Sequence, residues 1–263
     1  MVINEEWFAA LSPAWLKVLG TMTRSFGEGF PLYMQSKLFS LRQLEDFLGS
    51  FTELKHDTLL YSKPEYAEMG EGAEGEIPPV RKGFVEPNLP FWYELQRLID
   101  YTIPGLMKLK VKASEKEEFG GINEFKRQVA FFTSLAEKEL AGEKITDDEY
   151  EELRQTKLSY MADPYDQLTY TDEDRRSALI ADLHTDMVKG QILYEATGEP
   201  SIMLVLVGNE NSPRLTIGLV YNHYEFSGPL GTRESDKTWQ EQVYVKPEKL
   251  PRKNFWYQDL QVK

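Results

Sequence analysis

Apolar residues recur at helical spacing through most of the first 185 residues, and the period shortens to that of strands after about residue 187. In "SLRQLEDFLGSFTELKHDTLLYS", Leu41, Leu44, Leu48, Phe51 and Leu54 repeat every three or four positions, which predicts an amphipathic helix with these residues inward. Ser40 followed by Gln43 is a capping-box pattern for its start. Gly49 costs up to ~1 kcal/mol in a helix interior, so its presence predicts close packing against another element. The preceding "GEGFPLYM" reads as a break. Helical patterning returns in "FWYELQRLIDYTIPGLMKLK", where Pro104 predicts a kink, and in "INEFKRQVAFFTSLAEKELAG". In the latter, Phe125, Val129, Phe132 and Leu135 or Ala136 mark the buried stripe. Thr146 with Glu149 opens a further helix by a second capping box.

Between the first helices lies "SKPEYAEMGEGAEGEIPPVRKGFVEPNLP", residues 62 to 90, with five prolines and almost no period. It predicts a long loop, of the kind that is functional or mobile. Towards the C-terminus, "GQILYEATG", "SIMLVLVG" and "RLTIGLVYNHYEF" predict an antiparallel meander of three strands. "SDKTWQEQVY" predicts a helix, and the tail "LPRKNFWYQDLQVK" is expected to pack its aromatics back on the body. The expected fold is α+β: a mainly helical body with a small C-terminal antiparallel β-sheet. We expect a single domain over residues 1–263, helical to about 187 and β-rich from about 188.

Charge removes some functions from consideration. The formal net charge of −13 repels phosphate backbones, so nucleic acid is not an expected partner. The longest apolar run, "IMLVLVG", is strand-sized, so no membrane insertion by this chain is expected. "MVINEEWFAALSP" lacks a basic stretch followed by an apolar one, and no signal peptide is expected. With no cysteine, disulfides, thiolate metal sites and a cysteine nucleophile are excluded. No nucleophile elbow, phosphate-binding loop, dinucleotide fingerprint or zinc-protease motif is present.

Two acid–histidine runs remain as candidate chemistry in a chain with three histidines. On a helix, Glu53, His56 and Asp57 stand at i, i+3 and i+4 and share a face. In "ADLHTDM", Asp182, His184 and Asp186 are spaced by two and would share a face if extended. Glu-x-x-His on a helix is the spacing of carboxylate-bridged metal sites, and the two runs together could serve Zn²⁺, Mn²⁺ or Fe²⁺. No cofactor is required by the sequence; a divalent metal is the one these residues would suit. The plainer expectation is a hydrogen-bonded polar network, with Asp182 and Asp186 capping a turn. His223, among strand aromatics, is expected to be structural.

These same runs carry a resemblance. "LEDFLGSFTELKHDTLLYSK", "GFVEPN", "ADLHTD", "SIMLVLV" and the "YEF" closing the third strand occur in that order. They resemble the bacterial and archaeal family called domain of unknown function 3160. Its motifs are similar to Ser-Trp-x-Glu-Leu-x-His-Asp-Thr-x-Leu-Tyr, Tyr-Val-Glu-Pro-Asn and Ala-Asp-x-His-Thr-Asp. Phe51 stands where the family usually has tryptophan, Phe84 where it has tyrosine, and His223 where a non-histidine is common. Glu53, His56, Asp57, Asp182, His184 and Asp186 all match. The resemblance runs from about Trp15 to the tail and implies an extracytoplasmic setting, with His56 and His184 in one site. Members are often longer, which makes the N-terminal region of a longer parent protein a candidate partner. The resemblance implies no reaction, so a binding or structural module is the leading expectation and a metal-dependent hydrolase, with residues 62–90 as its lid, the alternative.

Overall fold

A computed structural model describes residues 10–59, 82–108, 120–156, 176–209 and 212–261. Most of the predicted 62–90 loop lies outside the described residues, and with it the expected lid. Seven α-helices and five strands are found among the described residues, and their contacts divide into two compact units. No helix among them is long and apolar enough to cross a membrane.

The first unit is helical. It holds α1 (Leu11–Gly20), α3 (Leu89–Lys108), α4 (Gly120–Ala141) and α5 (Asp147–Gln155); α2 belongs to the second unit. Ala14 and Val18 of α1 pack on Leu98 of α3, flanked by Trp15, Phe91 and Leu95. The stripe expected in α4 is found, with Val129, Leu135 and Ala136 buried. Leu135 and Ala136 meet Val85, Ile145 and Tyr150 in one cluster. At the start of α5, Thr146 Oγ1 accepts from Glu149 N at 3.2 Å and Glu149 Oε2 accepts from Thr146 N at 2.9 Å, the reciprocal cap that the sequence predicts. Pro104 lies inside α3.

"GFVEPN" has a structural use in this unit. A Cβ on Gly83 would stand 2.6 Å from Leu153 Cδ2, Val85 is core, and Glu86 O accepts from Trp92 Nε1 at 2.8 Å. Asn88 Oδ1 accepts from Phe91 N at 3.3 Å, capping the start of α3.

The second unit holds α2 (Lys37–Leu59), the strands, α6 (Asp236–Tyr244) and α7 (Tyr257–Leu260). α2 starts earlier than expected. Ser36 Oγ accepts from Phe39 N at 3.1 Å, so Ser36 rather than Ser40 caps it, and Gln43 is buried instead of closing a capping box.

The predicted meander is also corrected. The strands are β1 (Ile180–Asp186), β2 (Gln191–Thr197), β3 (Ser201–Asn209), β4 (Ser212–Val220) and β5 (His223–Pro229). They form an antiparallel sheet of order β1-β2-β5 and a separate β3–β4 hairpin. β1 begins within the span expected to be helical. "RLTIGLVYNHYEF" is two strands, because Tyr221 and Asn222 turn the chain from one sheet to the other. Their groups bond outside the ladder: Tyr221 N donates to Asp46 Oδ1 (3.1 Å) and Asn222 Nδ2 to Ser201 Oγ (2.8 Å). The mixed α+β class holds.

One face of the three-stranded sheet is apolar. Ile180, Ile192, Tyr194, Ala196 and Tyr224 pack on Trp239 of α6, whose indole N–H donates to Thr197 O at 2.7 Å. α6 is the helix expected from "SDKTWQEQVY", capped by Ser235. The other face lies under α2 and is polar.

Candidate functional site

The buried stripe of α2 is not the leucine stripe. Glu45, Gly49, Thr52 and His56 are buried, whereas Leu41, Leu44, Leu48, Phe51 and Leu54 are only half-buried. Steps of four, three and four place the buried set on one helix face. That face meets the strands. A Cβ on Gly49 would stand 2.5 Å from the Tyr221 ring, so the close packing expected at this glycine is found, with Tyr221 as the neighbour.

At the lower end of the stripe, Glu45 Oε2 accepts from His223 N at 3.0 Å and Oε1 from Trp256 Nε1 at 2.7 Å. Burial raises the Glu45 carboxyl, opposed by the His223 N–H and the Lys253 charge. His223 is fully buried, as expected of a structural histidine, and burial with Lys253 beside it lowers its pKa to about 4. Its Nδ1 lies 3.1 Å from Asn254 Nδ2; an amide donates, so Nδ1 accepts. Lys253 donates to Asn222 Oδ1 (2.9 Å) and lies 3.6 Å from the centroid of the Tyr224 ring. Burial lowers its pKa to about 8 although Glu45 pulls the other way. The tail thus packs back through Trp256, while Phe255 is 83% exposed.

Further along, Asp46 receives Tyr221 N and Arg42 Nη1 (2.7 Å), and Glu53 Oε2 receives the Tyr221 hydroxyl at 2.9 Å. Burial, then the Glu53 charge, pushes the Tyr221 phenol well up. Glu195 of β2 is also buried on this side. Burial and the Glu225 carboxylate opposite raise it to about 7, with Lys55 of α2 opposing.

At the upper end His56 is buried and its Nε2 lies 2.9 Å from Asp236 Oδ2. The other oxygen of Asp236 accepts from Ile180 N at 3.1 Å. Asp236 is the first residue of α6, where a carboxylate suits the helix dipole. Asp57 Oδ1 is 3.4 Å from His56 Nδ1, and its side chain is 80% exposed. One imidazole–carboxylate pair therefore joins α2, α6 and the start of β1.

The second run is divided. Asp182 pairs with Tyr194 but His184 with Leu193, so a bulge at Leu183 interrupts the alternation. Tyr194 and Leu193 face opposite sides, and Asp182 and His184 therefore do not share a face, contrary to the expectation from spacing. Asp182 forms an ion pair with Arg233. His184 is exposed. Asp186 accepts from Val188 N and Lys189 N, both at 3.0 Å, closing the turn between β1 and β2. The Lys189 N–H bond, more than any other contact, holds its carboxyl below the usual range. Among the described residues no three His, Asp or Glu side chains are grouped to hold a metal.

A surface depression of about 460 Å³ lies beside α6, lined by Arg233, Thr238, Glu241, Gln242, Lys246 and Lys249 among others. None of the six candidate residues lines it. Sequence reasoning missed Glu45, Asp46, Tyr221, Lys253 and Asp236; the repeat of Glu45, Gly49, Thr52 and His56 at helical spacing was the signal for the first of them.

No curated protein matches the chain, and no solved structure does. A family model described as "Protein of unknown function (DUF3160)" matches residues 2–257 of the 263. The match covers nearly the whole chain, and the chain belongs to the DUF3160 family.

Proposed function

We propose that this chain is a non-catalytic binding or structural module of an extracytoplasmic protein, in which the Glu53, His56, Asp57 and Asp182, His184, Asp186 runs serve the fold. The extracytoplasmic part of this reading rests on the family resemblance. The carrying observation is the His56–Asp236 pair, because both Asp236 oxygens are engaged, one by the imidazole and one by Ile180 N. A carboxylate so engaged orients three elements. Glu53 on Tyr221, Asp182 on Arg233 and Asp186 on its turn support the same reading.

Thermal melting tests it against the metal-dependent alternative. His56→Ala should destabilise by about 1–3 kcal/mol, the cost of removing a buried, hydrogen-bonded imidazole. Neither chelator nor added Zn²⁺ or Mn²⁺ should move the wild-type curve. A metal bound only to the native state at a hundredfold excess over Kd would add about 2.7 kcal/mol. A metal-dependent rise in Tm that disappears in His56→Ala would replace the module with a metal site.

A further inference from the structure

The β3–β4 hairpin turns an aliphatic face to water. Its cross-strand pairs are Ile202 with Leu219, Leu204 with Ile217 and Leu206 with Leu215. All six side chains are exposed, between 54% and 75%. The next pair outward is Gly208 with Pro213, so no position on this face carries a polar side chain. On the opposite face Val207 is buried and Met203 and Val205 are half-buried. An antiparallel pair with one face on the core ordinarily places polar residues on the other. Here the outward alternation is the apolar one, in a chain of net charge −13.

We infer that this face is an isologous interface with a second copy of the chain. At these exposures the six residues present on the order of 700 Å² to water. That exceeds the ~300–600 Å² of the largest apolar patch on a typical monomer and approaches the ~800 Å² each partner contributes to a standard interface. A two-stranded sheet is marginal by itself and gains from a covering layer. The covering layer must accept a flat aliphatic array without charges or hydrogen-bonding groups, and the same array on another copy meets that requirement. The uncharged face also keeps two acidic chains from opposing like charges at the contact. A lipid surface fits less well, because no lysine or arginine stands among the outward positions and the acidic chain is repelled by anionic headgroups.

Sedimentation equilibrium of the full chain at micromolar concentration tests the interface. The expected mass is twice the 30.5 kDa of one chain. Leu204→Glu with Ile217→Glu, at the middle pair, should sediment as a single chain with an unchanged circular-dichroism spectrum. Should that variant fail to fold, Ile217→Thr, which keeps strand propensity, should weaken the dimer at least tenfold. A wild-type monomer, a dimer indifferent to these substitutions, or a monomer captured by phosphatidylcholine vesicles would overturn the inference.

Discussion

Gly49 lies where α2 crosses the Tyr221 ring, and the absent side chain is what permits the approach. Helix propensity alone favours alanine there by up to ~1 kcal/mol. A Cβ would instead sit 2.5–2.7 Å from three Tyr221 atoms. We therefore expect Gly49→Ala to destabilise by about 1–3 kcal/mol in urea unfolding, the usual cost of overpacking. A more stable variant would show that Tyr221 gives way freely. The Tyr221 hydroxyl is held by Glu53 and its amide by Asp46, which opposes that movement.

At the scale of elements, most of the defining contacts are made at helix starts. Ser36, Asn88, Thr146 and Ser235 each place a side-chain oxygen on an amide of the first turn. Asn88 is buried, so water has little access to replace it. Asn88→Ala should cost about 1 kcal/mol, and Asn88→Asp or Asn88→Ser should recover most of it. Equal stability of all four proteins would mean that α3 is held by packing alone. Two of these starts are visible in the sequence, α5 through its capping box and α6 through the segment that Ser235 opens. Ser40 offers the same local pattern one turn after Ser36, and only the observed bond chooses between them.

At the scale of the whole molecule, buried ionisable groups should give stability an unusual dependence on pH. His223 is lowered from 6.5 to about 4, so its stabilising contribution is full above pH 6.5 and is lost as pH falls through 4. Glu195 is raised from 4.5 to about 7, so its contribution is full below pH 4.5 and is lost as pH rises through 7. Between pH 4.5 and 6.5 the two oppose each other. Relative to wild type, His223→Gln should gain up to about 3 kcal/mol on going from pH 7 to pH 4. Glu195→Gln should show the opposite trend, its advantage growing by up to about 3 kcal/mol from pH 4 to pH 8. Denaturant titrations at each pH measure both difference curves. Flat curves would mean that water reaches these groups and that their burial has little electrostatic effect.

The sequence by itself determined the α+β class, the α4 stripe, the α5 and α6 starts and the tight contact at Gly49. Each follows from residues near one another in the chain, where propensity, capping and periodicity act locally. It also marked Glu53, His56, Asp57, Asp182, His184 and Asp186 through their motifs. Only the tertiary structure decided what they touch. The β-bulge at Leu183 depends on the pairing partner, and it turns His184 away from the face of Asp182. The division of the strands into two sheets depends on α2 supplying carboxylates to Tyr221 N and His223 N, from residues about 175 positions away. Those buried backbone amides need acceptors once they leave the ladder. That need is why α2 turns Glu45 and Asp46 toward the strands while its leucines stay half-exposed. A polar residue's partner is set by long-range geometry, which hydropathy periodicity does not encode.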